Sequence, residues 1–213
     1  MCQKYCKLCC FLSSFSPFTV NKSKAIPFEP GCTKTMICAR VFVLILAIVA
    51  TACAACANVF AVFQKEVAGV KTIQTLWYSK VSAGPSDTVS KVADSVCAQF
   101  KLFFTVCEGV TVGAAGLGFI VVLLAIVRLF TGPALCFLKC LISFLLSLAF
   151  AASGVCVALV VYGYLKGYCQ DDAILAPLYL PFKESGFDFW VSFYLICIAC
   201  GLFMITNLFQ CCA

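Results

Sequence analysis

The sequence predicts an all-α membrane protein, a bundle of four transmembrane helices with a small extracellular cap of β and α structure. Of its 213 residues, 63% are hydrophobic and only 11% are charged. Soluble globular chains are about 45–50% apolar and about 25% charged, so water is a poor solvent for this chain. Four separate runs contain the roughly 20 apolar residues that a membrane span requires.

These apolar runs define four spans, expected at 36–63, 109–130, 134–165 and 189–209. The second and third spans are separated only by the turn 131–133, which contains Gly132-Pro133. Proline cannot continue a helix but suits the first turn of the next one. We therefore expect these two spans to form an antiparallel hairpin.

The charges beside the spans predict their orientation. The tail 1–35 and its junction with the first span carry six basic residues against one acid, and two basic residues flank the turn. The loop 64–108 has five basic residues against four acids, and the loop 166–188 has two against four. Because cytosolic segments are enriched in Lys and Arg, the tail and the turn are expected in the cytosol and both loops outside. The C-terminal stub 210–213 then returns to the cytosol of a plasma-membrane or endomembrane protein.

An alternative treats the first span as a cleaved signal peptide. Ala52-Cys53-Ala54 has the small residues of a cleavage site after an apolar core. The tail before the span is long for a signal peptide, however, and the apolar run continues to Phe63. A retained span is therefore favoured.

The outer loops contain patterns of regular structure. β-branched and aromatic residues alternate in part over 67–78, which predicts a strand. After the turn at Gly84-Pro85, Ser86 or Asp87 is expected to cap an amphipathic helix. A second extended segment at 174–182 could pair with the first strand, at an edge, because it contains two prolines.

Most of the 18 cysteines lie in apolar runs or cytosolic flanks, where thiols stay reduced. Cys97, Cys107 and Cys169 belong to the outer side. Ten helical residues separate Cys97 from Cys107 by about 15 Å, too far for a disulfide. This leaves Cys97–Cys169, Cys107–Cys169 or three free thiols as alternatives.

The cysteines beside the cytosolic ends of the spans are candidates for S-acylation. Unmodified thiols are the main alternative, and a zinc site is a third, since four cysteines lie close together in the tail. The candidates are Cys2, Cys6, Cys9, Cys10, Cys211 and Cys212.

Small residues at helical spacing in the second and third spans predict close helix packing. Packing within one bundle is the simpler interpretation, and self-association of copies is the alternative. The residues are Gly109, Gly113, Ala114, Gly118, Gly154 and Ala158.

Nothing in the sequence predicts catalysis or a cofactor. The chain has no His, the commonest general base and metal ligand. Asp171-Asp172 and Glu108 are candidate acids without a base. The net charge of +6 reflects topology rather than a nucleic-acid partner. Membrane lipid, further copies of the chain or other membrane proteins are the expected partners.

The layout resembles the amastins, four-span surface proteins of kinetoplastid parasites, and more distantly the claudin-like superfamily. The family signature in the first outer loop matches Thr75-Leu76-Trp77 and Lys80, with Tyr78 where the family has glycine. Residues 97–122 and 181–203 resemble the segments that lead into spans two and four. The resemblance implies a claudin-like bundle and a surface protein without known catalysis.

Two functions follow as hypotheses. The first is a structural or interaction role through the outer cap, with Trp77 either contacting a partner or anchoring the cap at the membrane interface. The second is lipid binding in a cavity between the helices. An accessory subunit of a larger membrane complex is a further alternative.

Overall fold

A computed structural model describes residues 32–84, 86–131 and 136–212. Within these ranges it has four long helices, each long and apolar enough to cross a membrane, with mean hydropathies between 2.0 and 2.7. The prediction of four spans is confirmed at this level. The helices are α1 Cys32–Ala57, α2 Ala98–Thr131, α3 Cys136–Lys166 and α4 Val191–Cys212.

The helices form a ring in which successive helices run in opposite directions. Helix α1 packs against α2 and α4, and α3 also packs against α2 and α4. Small and large apolar side chains alternate in the interior, with Ala47 and Ala50 on α1 facing Leu146 on α3 and Phe203 on α4. This mixture lets the helix backbones approach closely, as in other membrane bundles.

Several polar side chains inside the bundle pair with one another across helices. Thr111 donates a 2.8 Å hydrogen bond from Oγ1 to Asn58 Oδ1, joining α2 to the end of α1. Asn207 on α4 accepts a hydrogen bond from Ser143 and donates one to Ser147, both on α3. In lipid these bonds satisfy groups that water cannot reach.

A five-stranded antiparallel sheet lies at one end of the bundle, and we call this end the cap. Its strand order is β4-β3-β2-β1-β5. Four strands come from the first loop and the fifth from the segment before α4, so both loops contribute, as expected. The strands are β1 Phe63–Val67, β2 Val70–Gln74, β3 Tyr78–Ala83, β4 Ser86–Lys91 and β5 Asp188–Phe189.

The first loop, 64–108, holds more sheet and less helix than predicted. The strand expected over 67–78 is the shorter strand β2, because turns close it on both sides: Ala68 and Gly69 have positive φ and turn the chain after β1, and residues 75–77 turn it before β3. The prediction of a helix that starts at Ser86 is wrong for its first part, because Ser86–Lys91 forms strand β4, which pairs with β3. The helix begins at Ala98 and continues into the second span without a break.

The second loop also differs from the prediction. Residues 174–182 form turns, and the strand that joins the sheet is Asp188–Phe189 instead. Gly167 redirects the chain after α3 with φ +70°, and a Cβ there would lie 2.8 Å from the backbone of Pro181. This close approach requires glycine.

The ends of the spans shift by a few residues. Helix α1 ends at Ala57, so the rest of the run to Phe63 leads into β1. Helix α4 starts after β5 and continues to Cys212, so the predicted stub is mostly helix. Most of the predicted turn 131–133 and most of the tail 1–35 lie outside the described residues.

Aromatic rings fill the space between the cap and the bundle. Phe63 stacks on Phe182 with centroids 4.3 Å apart, and Tyr168 meets Phe100 edge-on at 5.2 Å. Phe104 on α2 packs into the same cluster. The cap therefore shares one core with the helix ends and is not a separate domain.

Candidate functional site

A disulfide joins the two loops of the cap. Cys97 and Cys169 are bonded, with Cα atoms 6.1 Å apart and a separation of 72 positions in the chain. Gln99 Oε1 also accepts a 2.7 Å hydrogen bond from the Cys169 N–H. Cys107 is a buried free thiol. Of the alternatives considered from the sequence, the structure has the Cys97–Cys169 bridge.

Thr75 and Leu76, the first two residues of the segment that resembles the amastin signature, stabilise the turn between β2 and β3. Thr75 Oγ1 accepts hydrogen bonds from the N–H groups of Trp77 and Tyr78, at 3.2 and 3.0 Å. Leu76 is fully buried in the cluster between cap and bundle. Both residues therefore hold the turn and are not available to a partner.

Trp77 lies on the outside of this turn and ties it to the bundle. Its Nε1 donates a 2.9 Å hydrogen bond to the carbonyl of Asn58, just beyond the end of α1. The ring is 43% exposed. An amphipathic ring in this position suits an anchor at the junction of bundle and cap.

Lys80 forms an ion pair with Asp87 across β3 and β4, with Nζ and Oδ2 2.7 Å apart. The hydrogen bond from Lys80 lowers the pKa of Asp87, and the same bond raises the pKa of Lys80. Both side chains are well exposed, so the pair contributes little to global stability. It connects the edge strand β4 to its neighbour β3.

A cleft of about 410 Å³ lies between the sheet and the second loop. One wall is polar and comes from Gln74, Ser79 and Ser90, which share one face of the sheet. We call this feature the cap cleft. Both loops build it, so it exists only because the disulfide and the sheet bring them together.

The opposite wall of the cap cleft is apolar and aromatic. It contains Leu178, Leu180 and Phe187 from the second loop and Phe100 from α2. Ser95 and Tyr179 join the two walls through a 2.7 Å hydrogen bond between their hydroxyl groups.

The floor of the cap cleft is closed by Tyr168 and Phe182. Tyr168 is only 3% exposed, and burial raises the pKa of its hydroxyl. The ring therefore stays neutral at physiological pH. The cleft combines apolar anchoring surface with a few polar groups, which is the composition of recognition sites.

The predicted packing residues divide into two groups. Ala114 and Gly118 face the interior, and Gly154 lies on α3 near Cys200 of α4. Gly109 and Gly113 have no atom within 4 Å of a Cβ built on them, and Ala158 is exposed. The prediction of intramolecular packing is wrong for these last three, because they lie off the buried stripe of their helices.

The candidate acylation sites fall at or beyond the edges of the structure. Cys2, Cys6, Cys9 and Cys10 lie outside the described residues, and Cys211 and Cys212 form the last described turn of α4. The proposed zinc alternative lies in the same undescribed tail. Within the described part of the chain, no group of three or more metal-binding side chains comes together.

The acidic residues considered as catalytic candidates lie apart. Asp171 and Asp172 lie in an exposed turn, where Asp172 Oδ1 accepts a hydrogen bond from the N–H of Ile174. Glu108 lies on α2. Asp172 thus has a local structural role, and Glu108 lies on a different element from the two aspartates.

Sequence reasoning missed the cap cleft. The sequence pattern predicts a helix where part of the strand wall of the cleft lies, and it predicts an extended strand at Leu178 and Leu180. The run of large apolar residues at 174–182 in an otherwise polar loop was the available signal. No protein-family model matches the sequence, and no curated protein matches it.

Proposed function

We propose that this chain is a non-enzymatic surface membrane protein, amastin-like in character, that acts by binding other membrane proteins through its cap. The charge distribution beside the spans supports an orientation with the cap outside the cell or in a lumen. The signature Thr75-Leu76-Trp77 supports the family comparison, with its first two residues building the cap and its third anchoring it.

The observation that carries this proposal is the exposed apolar rim of the cap cleft. Val96 is 79% exposed and Leu178 is 74% exposed, and both line the cleft. Large apolar side chains around a concave surface are characteristic of protein interaction sites. The aromatic residues behind them are of the type that dominates binding energy at interfaces.

A partner protein suits this cleft better than a small metabolite. The cleft is open, and its polar lining combines the neutral groups of Gln74, Ser79 and Ser90 with two opposite charges, Lys91 and Asp94. Such a wall can hydrogen-bond to a loop of another copy or of a neighbouring membrane protein.

Lipid binding in a cavity between the helices draws no support from the packing. A void lined by Ala54, Thr111, Ser153 and Ile196 lies within the bundle, but it has no volume accessible to a water molecule.

Native mass spectrometry of the protein released from membranes tests the proposal. We expect homo-oligomers or a stoichiometric membrane-protein partner, and we expect Leu178→Ser to reduce that association at least several-fold. Ile174→Ser is the matched control, since Ile174 is 79% exposed in the same loop but does not line the cleft.

A monomer that retains only lipid would favour the lipid-binding alternative. Association lost equally in both variants would show that the loop, and not the cleft, makes the contact. An unrelated subunit bound through the helices, unaffected by either variant, would favour an accessory role in a larger complex.

A further inference from the structure

A second depression lies on the other face of the β3–β4 hairpin, where the hairpin meets α2. It has a volume of about 360 Å³. Strand alternation separates it from the cap cleft: Ser79 and Ser90 face the cleft, and their neighbours Tyr78 and Val89 face this depression. It is lined chiefly by Trp77, Tyr78, Val89, Lys91, Thr105 and Glu108.

Two opposite charges line this depression without pairing. Lys91 comes from the end of β4 and Glu108 from α2. Within the described part of the chain, neither the Lys91 ammonium nor the Glu108 carboxylate makes a hydrogen bond or an ion pair. A cation and an anion are therefore available to a ligand on two sides of one small space.

The depression lies at the boundary between the apolar bundle and the polar cap. Trp77 is bonded to the carbonyl of Asn58, and the next residues, Val59 and Phe60, are exposed and apolar. On α2 the face that carries Glu108 is apolar further from the cap, where Val112 and Phe119 are exposed about one and three turns beyond it. Aromatic residues with a charged neighbour at this level are typical of the lipid headgroup region.

We propose that this depression binds the headgroup of a zwitterionic phospholipid. Lys91 binds the phosphate as a charge-assisted donor, and Glu108 accepts hydrogen bonds from, or lies against, the ammonium group. The exposed ring of Trp77 adds a cation–π contact to the same ammonium. The acyl chains continue along the apolar face of α2 beside Val112 and Phe119.

This inference concerns the opposite face of the hairpin from the cap cleft and a different ligand. Lys91, at the end of β4, lines both features, whereas Glu108 lines only the depression. Phosphatidylglycerol lacks an ammonium group, and Glu108 repels its net negative charge. The structure thus assigns to this depression a preference between lipid headgroups that depends on their charge, which a purely apolar surface would not have.

The experiment uses the full chain in mild detergent, titrated with phosphatidylethanolamine, phosphatidylcholine or phosphatidylglycerol and observed by native mass spectrometry. We expect either zwitterionic lipid to bind at least several-fold better than phosphatidylglycerol. Glu108→Gln is expected to lower zwitterionic affinity roughly tenfold, the effect of about 1.4 kcal/mol. It is also expected to shift the preference toward phosphatidylglycerol, which a purely structural role of Glu108 does not explain.

Lys91→Gln is expected to weaken binding of all three lipids, because all carry the phosphate. Glu66→Gln and Lys71→Gln are the matched controls, since both residues lie on the same face of the sheet but outside the depression. The proposal is overturned if phosphatidylglycerol binds the unaltered protein as well as the zwitterionic lipids. It is equally overturned if Glu108→Gln keeps the original preference, or if the controls reduce binding as much as the two test variants.

Discussion

At the scale of single residues, Gly118 marks the closest approach of α2 to its neighbours. A Cβ built on Gly118 would lie 2.5 Å from Thr51 Oγ1 on α1 and 3.2 Å from the Phe203 ring on α4. Thr51 is held by a 2.7 Å hydrogen bond to the carbonyl of Ala47. The absence of a side chain at this position therefore sets the spacing of three helices.

Gly118→Ala is expected to destabilise the bundle by about 1–3 kcal/mol, because an added methyl group overpacks a filled interior. The melting temperature in detergent should fall by about 2–4 °C for each kcal/mol in a chain of this size. Gly113→Ala is the control, since a Cβ there has no atom within 4 Å. It should leave the melting temperature unchanged or raise it slightly, because alanine favours the helix over glycine.

Equal destabilisation by both substitutions would contradict this assignment of the two helix faces. The sequence alone could not separate Gly113 from Gly118. Small residues at four-residue spacing show that one face of a helix lacks large side chains. They do not indicate whether that face contacts a neighbouring helix or lipid. The rotation of each helix comes from packing of the whole bundle.

At the scale of elements, the disulfide joins the start of α2 to the segment after α3. It closes a loop of 72 residues, and loop-closure entropy predicts about 4 kcal/mol of stabilisation for a loop of that length. The double variant Cys97→Ser/Cys169→Ser should therefore melt well below the unaltered protein. Circular dichroism during heating measures the difference.

Cys38→Ser is the control for thiol removal, because Cys38 is an exposed free cysteine. Its melting temperature should be unchanged. Mass spectrometry of the alkylated, unreduced protein gives a direct check. Modification of both Cys97 and Cys169 under those conditions would refute the bridge.

The four spans could be predicted from sequence because lipid demands about 20 apolar residues whatever the tertiary structure. Strand β4 could not be predicted from the sequence. All six of its residues are exposed, so it has no alternation of buried and exposed positions to reveal a strand. Valines at 89, 92 and 96 happen to fit a helical period, and Asp87 looks like a helix cap although it pairs with Lys80 instead.

At the scale of the whole molecule, the cap lies at one end of the bundle, and the start of α1 and the end of α4 lie at the other. The β3–β4 hairpin projects away from the helix ends, and its tip at Ser86 is exposed. Six residues of strand place that tip about 17 Å from Tyr78. The hairpin tip is therefore a suitable reporter of which side of the membrane the cap occupies.

Ser86→Asn creates an Asn-Asp-Thr glycosylation sequon with the existing Asp87 and Thr88. If the cap is outside, expression in a eukaryotic host should add one glycan to this variant, seen as a mass shift that a glycosidase removes. The natural sequon Asn21-Lys22-Ser23 in the tail should remain unmodified. A glycan at Asn21 in the absence of one at the hairpin would reverse the proposed orientation.

The candidate site is a property of the assembled molecule, which explains why little of it could be predicted. The cap cleft combines residues from near Gln74, Ser90 and Leu178, and their meeting depends on sheet register and on the disulfide. The signature residue Trp77 could be identified from sequence, but its bond to the end of α1 could not. Local patterns identify the parts, and only the fold brings them together.

Helix α2 has a mechanical consequence for any assembly that this protein forms. It is one uninterrupted helix of 34 residues, about 50 Å long, against a hydrocarbon layer of about 30 Å. Its first turns belong to the core of the cap and its last turns to the far end of the bundle, so no joint separates the two. A partner that binds the cap therefore also fixes the tilt of all four helices and their orientation in the plane of the membrane. Assemblies built through the cap would be ordered arrays, with every molecule facing a defined direction in the plane of the membrane.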